Sequence, residues 1–367
     1  GVEYGFRASC PDRDPWPGMG LWMLDKSTEY EVDHVEVYDT GFAGVMAKTD
    51  PLCDGSADQG VFVQRDVHLH HLWVHDTFGE AFYIGSTQSA GHSITCDGMS
   101  EVHQPHFLEG IEIDHNLVEN TGWDGMQVGM ARAGCSVHDN VIRNVGLENE
   151  LYQTRGLQIG TFSACDVRRN TLEGGPTIGI FVLHAADTTV ADNVVLDFDE
   201  DAIYANLANE DPPATYRFAH NTIAGYGDAA IRVFGANLTN SGAWNNLVIG
   251  DEADIGAGGD VDWEEAGNLA FADVTAAGLY GSGDYHLLET SPARGAGVDR
   301  SADGFTTDRD GNLRAAPPSV GAYEFDADAP RPTGGDGGCG CVAAGTGGAL
   351  PLGALDRKST RLNSSHR

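Results

Sequence analysis

The feature that most restricts how this chain folds is a recurring sentence. It reads "IDHNLVEN", "VHDNVIRN", "VRRNTLEG", "VADNVVLD" and "FAHNTIAG" at successive places along the chain. Its asparagines fall at Asn116, Asn140, Asn170, Asn193, Asn221, Asn246 and Asn268, with spacings of 24, 30, 23, 28, 25 and 22 residues by subtraction. Apolar and polar residues alternate with period two on both sides of each Asn, which is the period of a strand and not of a helix. Short strands returning every ~20–30 residues describe a solenoid, in which each turn buries its inner residues against the turns above and below.

The asparagine then has a physical task. In a stack of parallel turns, equivalent side chains lie ~4.8 Å apart. An inward Asn at a bend can donate to one neighbour and accept from the next, and it is expected to take the left-handed backbone of the bend itself. Ile113, Val118, Val137, Ile142, Val167, Leu172, Val190, Val195, Phe218 and Ile223 are expected to fill the interior. Upstream, "VDHVEVYDTG" and "LHHLWVHDTFG" place Val35 and Leu72 in the Asn column.

On these motifs the chain resembles the right-handed parallel β-helix proteins of the pectate-lyase-like superfamily, over roughly residues 20–270. The resemblance implies an all-β solenoid of about nine turns. It does not settle function, because that fold carries lyases, hydrolases, epimerases and non-enzymatic adhesins. The chain lacks the paired-Asp and "GHG"-type motifs associated with β-helix polygalacturonases and the "DPHD" signature of alginate epimerases.

The organisation is read as a β-helix over 1–272 that begins in mid-chain, followed by a closing segment at 273–325. That segment resembles the end of "choice-of-anchor" surface proteins and is expected to cover the solenoid end. Its "DRDGN", Asp308 to Asn312, reads as an Asx turn before a calcium loop. A Pro/Gly linker with a Cys motif follows at 326–341, and the start of a hydrophobic anchor at 342–355 is similar to a truncated myxobacterial sorting signal. The stretch 356–367 reads as translated sequencing adapter and not native protein. The chain is accordingly expected to be a monomer, secreted or anchored at a bacterial cell surface, touching membrane only through that C-terminal anchor.

Acidic residues number 55 against 21 basic ones, for a net charge of −34. Such a surface disfavours nucleic acid and anionic membranes. It suits a soluble protein in salty or calcium-rich surroundings. A polysaccharide or cell-surface glycan is the expected partner. No apolar run reaches the ~18 residues of a membrane-spanning helix.

Cys135 and Cys165 precede Val137 and Val167 by two residues each, so they share a column on adjacent turns. Cys53 and Cys96 each open a "CDG" within insertions on consecutive turns. The pairings Cys53–Cys96 and Cys135–Cys165 follow, with a buried thiol stack as the alternative for the second, and Cys10 is left over. Both bridges fit an exported protein.

Candidate chemistry sits on one strand column. After each Asp/Gly turn, one residue per turn is expected to point outward: Trp22, Met46, Tyr83, Gln127, Gln158, Phe181, Tyr204 and Arg232. Aromatics and amides stack on sugar rings and bond hydroxyls, although strand faces favour aromatics anyway. Three residues before these lies a second column, in which Glu80, Asp124 and Arg155 fall on consecutive turns. Close carboxylates perturb each other's proton affinity, as acid–base catalysis requires. In a β-elimination, Glu80 and Asp124 would hold Ca²⁺ and Arg155 or Lys48 would act as base; in a glycoside hydrolysis, the two carboxylates would be acid and nucleophile or base. A surface salt bridge between Asp124 and Arg155 is the purely structural alternative. The lyase is the favoured enzyme, and a non-catalytic binding or adhesive protein the alternative function. Eight of 14 histidines fall between 68 and 115. His68 and His70 share a strand face as a weak metal pair, whereas His34, His71 and His115 fit a stacked turn position.

Overall fold

A computed structural model describes residues 6–9, 18–208, 211–259, 261–281 and 283–327. Cys10 and the linker, anchor and adapter-like stretches read beyond residue 327 lie outside the described residues.

The chain coils as a right-handed parallel β-helix with three strands per turn. Sheet I stacks ten strands, from Phe6–Ser9 through Val35–Tyr38 to Leu269–Phe271. Sheet II stacks nine, from Met19–Met23 to Ile255–Gly258, and sheet III nine, from Tyr30–Asp33 to Trp263–Ala266. The ten interior positions named from the alternation are all fully buried. Each such Val, Leu or Ile contributes roughly 1.5–3 kcal/mol of burial, and the stack repeats that gain turn after turn.

The asparagines form a continuous ladder at the bend between sheets III and I. Asn116 donates both its backbone N–H (3.0 Å) and Nδ2 (2.9 Å) to Asn140 Oδ1. The pattern repeats through Asn170, Asn193, Asn221 and Asn246 to Asn268. Leu72 closes the upper end, its N–H donating to Asn116 Oδ1 at 2.9 Å. The left-handed backbone, however, belongs to the residue before the ladder. His34, His71, His115, Asp139, Arg169, Asp192, His220 and Asn245 have φ between 51° and 59°, and Gly267 has φ 70°. The bend is made one residue early, which leaves each Asn free to aim its amide along the stack. His71 lies parallel to His34 and His115, with ring centroids 5.0 and 5.1 Å apart, as a stacked turn position requires.

The segment after residue 272 does not act simply as an end cap. It folds back along the flank, where Ala277, Leu279, Tyr285, Leu287, Val320 and Ala322 cover outward Val194, Leu196 and Leu247 of sheet I. The outer face there is apolar, so it needs a cover that the other turns do not. Arg314, with 2% of its side chain exposed, pairs with Asp192 at 2.6 Å and pins the segment to the ladder corner. Asp308 accepts N–H bonds from Asp310 and Asn312, at 3.0 and 2.7 Å, and from Glu324, at 2.7 Å, which makes "DRDGN" an Asx turn.

Candidate active site on sheet II

Both outward columns exist in the expected register. Trp22, Met46, Tyr83, Gln127, Gln158, Phe181, Tyr204 and Arg232 are consecutive partners across sheet II. Glu80 pairs with Ala43, and the backbone bonds from Ala81 to Asp124 and from Gly125 to Arg155 carry the second column forward. The strand Glu80–Ile84 bends so that Ala81 and Phe82 both enter the core. That bend turns Glu80 onto the same outer face as Tyr83.

The expectation of an exposed column fails in its middle. Trp22 is 48% exposed and Tyr204 and Arg232 are half-buried, but Met46, Tyr83, Gln127, Gln158 and Phe181 are buried. Long side chains cover them. The Lys48 ammonium lies 4.8 Å from the centre of the Tyr83 ring, and Phe42 packs on Tyr83 at 5.4 Å and on Trp123 at 5.6 Å. The Arg155 guanidinium covers Phe181, which also stacks on Tyr204 at 5.3 Å. The two insertions follow adjacent strands of sheet II, Ala43–Ala47 and Glu80–Ile84. They are joined by the Cys53–Cys96 disulfide and by a His103–Asp58 contact of 2.7 Å, and His92 reaches Ser86 at 3.0 Å. The second disulfide, Cys135–Cys165, spans adjacent strands of sheet III and faces the core.

Glu80 and Asp124 are in electrostatic contact beneath this cover, 1% and 0% exposed. Burial pushes the Asp124 carboxyl up to about 7, against the opposing pull of the Arg155 N–H and guanidinium. Burial, then repulsion from Asp124, holds Glu80 well above the ordinary carboxylate range, with Lys48 and Arg155 opposing. The Gln127 amide, with its nitrogen turned toward Glu80, donates to both carboxylate oxygens at 3.2 and 3.3 Å and accepts from Gln158. The Asp124–Arg155 salt bridge does not form. Asp124 Oδ1 instead accepts the Arg155 backbone N–H at 2.7 Å. Asp124 Oδ2 and Arg155 Nε and Nη1 are buried and have no hydrogen-bond partner among the described residues. Lys48 pairs with Asp50 at 2.8 Å.

The donor set does not suit Ca²⁺, which takes 6–8 oxygens. Two carboxylates stand here, one oxygen already holds an N–H, and two cations stand close by. The arrangement is instead two buried carboxylates with raised proton affinity beside two unpartnered guanidinium nitrogens.

Farther along the same face, an open cavity of about 480 Å³ is lined by Asp228, Arg232, Phe234 and Asp254. Arg232 is tied to Asp201 and Asp228, and Phe234 is 50% exposed. Phe234 escapes a reading that takes only the first outward residue of each strand; it is the next outward position after Arg232. His68 and His70 lie on sheet III, away from this face.

No protein-family model matches the chain, and no curated protein matches it. Among solved structures, it is similar to pectate lyase Pel9A, with 12% identity, a TM-score of 0.51, and coverage of 88% of this chain and 77% of that one. A structure of XylC in complex with xylose aligns over 68% of this chain and 39% of that one, at 14% identity and a TM-score of 0.41. The likeness to Pel9A is one of fold: this chain is a right-handed parallel β-helix.

Proposed function

We propose that the chain is an exported polysaccharide-active enzyme that cleaves an acidic glycan by β-elimination on sheet II. The carrying observation is the buried trio of Asp124 Oδ2 and Arg155 Nε and Nη1, opposite in charge and unpartnered. A uronate carboxylate accepts charge-assisted hydrogen bonds from the guanidinium N–H groups. That pairing lowers the proton affinity of the adjacent ring carbon. Asp124, whose proton affinity burial raises above the ordinary carboxylate range, takes the carbon-bound proton in its ionised form. The electron pair forms the ring double bond, and the glycosidic C–O bond breaks. The leaving oxygen takes a proton from neutral Glu80, held in place by Gln127. Afterwards the proton on Asp124 is lost to solvent as Glu80 regains one, so atoms and charge balance. Arg155, only partly covered, is the side chain whose movement admits substrate.

The test is a panel of uronic and neutral glycans, followed by ultraviolet absorbance of the unsaturated product and by reducing ends. Turnover of a uronic glycan should fall at least ~100-fold in Asp124→Asn and Arg155→Gln. Reducing ends without new absorbance would assign Glu80 and Asp124 to hydrolysis instead. Unchanged turnover in both variants would remove the site.

One observation favours a second reading, a non-catalytic glycan-binding surface protein: the open cavity at Arg232 presents the exposed Phe234 ring beside charged groups. Saturable binding without turnover, weakened by Phe234→Ala, would support it.

A further inference from the structure

Sheet III carries a second polar cluster that the proposed reaction does not use. Glu31, His68 and Glu112 are register partners on consecutive turns, and so are Asp33, His70 and Asp114. His68 and His70 both point outward, their rings stacked with centroids 4.0 Å apart. One ligand atom each from Glu31, His68 and His70 fall within 4.8 Å of one another. Glu31 Oε1 stands 2.7 Å from His70 Nε2 and 3.9 Å from His68 Nδ1. Donors each ~2.0 Å from a tetrahedral ion lie ~3.3 Å apart, so the two distances bracket what an ion would impose.

The surroundings orient both rings. His68 Nε2 donates to Asp114 Oδ1 at 2.5 Å, which frees Nδ1 to ligate. His70 Nδ1 lies 2.7 Å from His71 Nδ1, which leaves Nε2 facing Glu31. Asp114, 6% exposed, is itself held by His115 at 2.6 Å. A carboxylate or ring behind each ligating imidazole is the usual support of a metal-binding histidine. A rival trio, His68 with Glu112 and Asp114, would use His68 Nε2. It would claim the nitrogen that Asp114 already orients, and it offers one imidazole in place of two.

We propose that Glu31, His68 and His70 form a surface site for a borderline divalent metal of the Zn²⁺ type, with Asp114 and His71 orienting the two rings. The ion joins two adjacent turns and keeps its fourth position open to solvent, where Glu31 is 62% and His68 33% exposed at the side chain. Imidazole nitrogens select such ions over Ca²⁺ and Mg²⁺.

The test is titration of the tag-free full chain with Co²⁺, read by its visible absorbance, followed by displacement with Zn²⁺. One saturable tetrahedral Co²⁺ signal is expected, displaced by one equivalent of Zn²⁺. His68→Gln and His70→Gln should abolish it, Asp114→Asn should weaken binding about tenfold, and Glu112→Gln should leave it intact. Circular dichroism checks that each variant is folded. No saturable signal, a signal indifferent to both histidine variants, or one lost in Glu112→Gln would overturn the proposal.

Discussion

Each rung of the asparagine ladder satisfies two buried backbone groups on the turn before it. Asn193 accepts the N–H of Asn170 at 2.9 Å and its Nδ2 at 3.0 Å, and it donates to Val167 O at 3.0 Å. Asn193→Leu leaves those groups unpaired in the core, so urea unfolding should show a loss of about 3 kcal/mol or more. The ladder was legible in the sequence because one residue type holds one position. The left-handed residue before it was not, because His, Asp, Arg, Asn and Gly all serve there. Asp124 makes a separate residue-scale prediction. Its carboxyl rises from 3.8 unfolded to about 7 folded, so its neutral form is the favoured folded state. The stability attached to this group is fully present below about 3.8 and lost as pH rises through about 7. That loss is about 4 kcal/mol at most. The native chain should therefore unfold more easily at pH 8 than at pH 5, and Asp124→Asn should flatten that slope.

At the scale of elements, the short strands on either side of each Asn were legible from period-two alternation, and so was the register of both outward columns. What covers those columns was not. Burial of Tyr83 comes from Phe42 and Lys48, and that of Phe181 from Arg155. These are long side chains from neighbouring turns, whose reach no strand period encodes. The two insertions form one unit because Cys53 and Cys96 tie them across 43 residues. In the chain-entropy description, opening a loop of that size costs roughly 4 kcal/mol. Cys53→Ser should lower the unfolding midpoint accordingly. Mass mapping of the unreduced native chain should return Cys53–Cys96 and Cys135–Cys165. The closing segment was legible as a separate stretch after the repeats, but its place on the flank was not. That place depends on the outward apolar residues Val194, Leu196 and Leu247, which single strands present as ordinary alternation.

Across the whole molecule, coiling turns distance along the chain into adjacency. Residues 80, 124 and 155 lie 44 and 31 positions apart by subtraction, yet they occupy one column and share one electrostatic environment. The same geometry gives sheet III its histidine cluster, so one coil presents two chemically distinct faces. A fold held by stacking tolerates wide sequence change, which fits the 12% identity with pectate lyase Pel9A over 88% of this chain. The proposed reaction requires Asp124 to carry a proton, poised by burial at that shared column. Carbon-13 NMR of labelled aspartate carboxyls, with Asp124 assigned by its loss in Asp124→Asn, measures this directly. A midpoint near 7 is expected, moving upward in Arg155→Gln as the neighbouring positive charge is removed; a midpoint near 4, unmoved by that substitution, would rule out the proposed role.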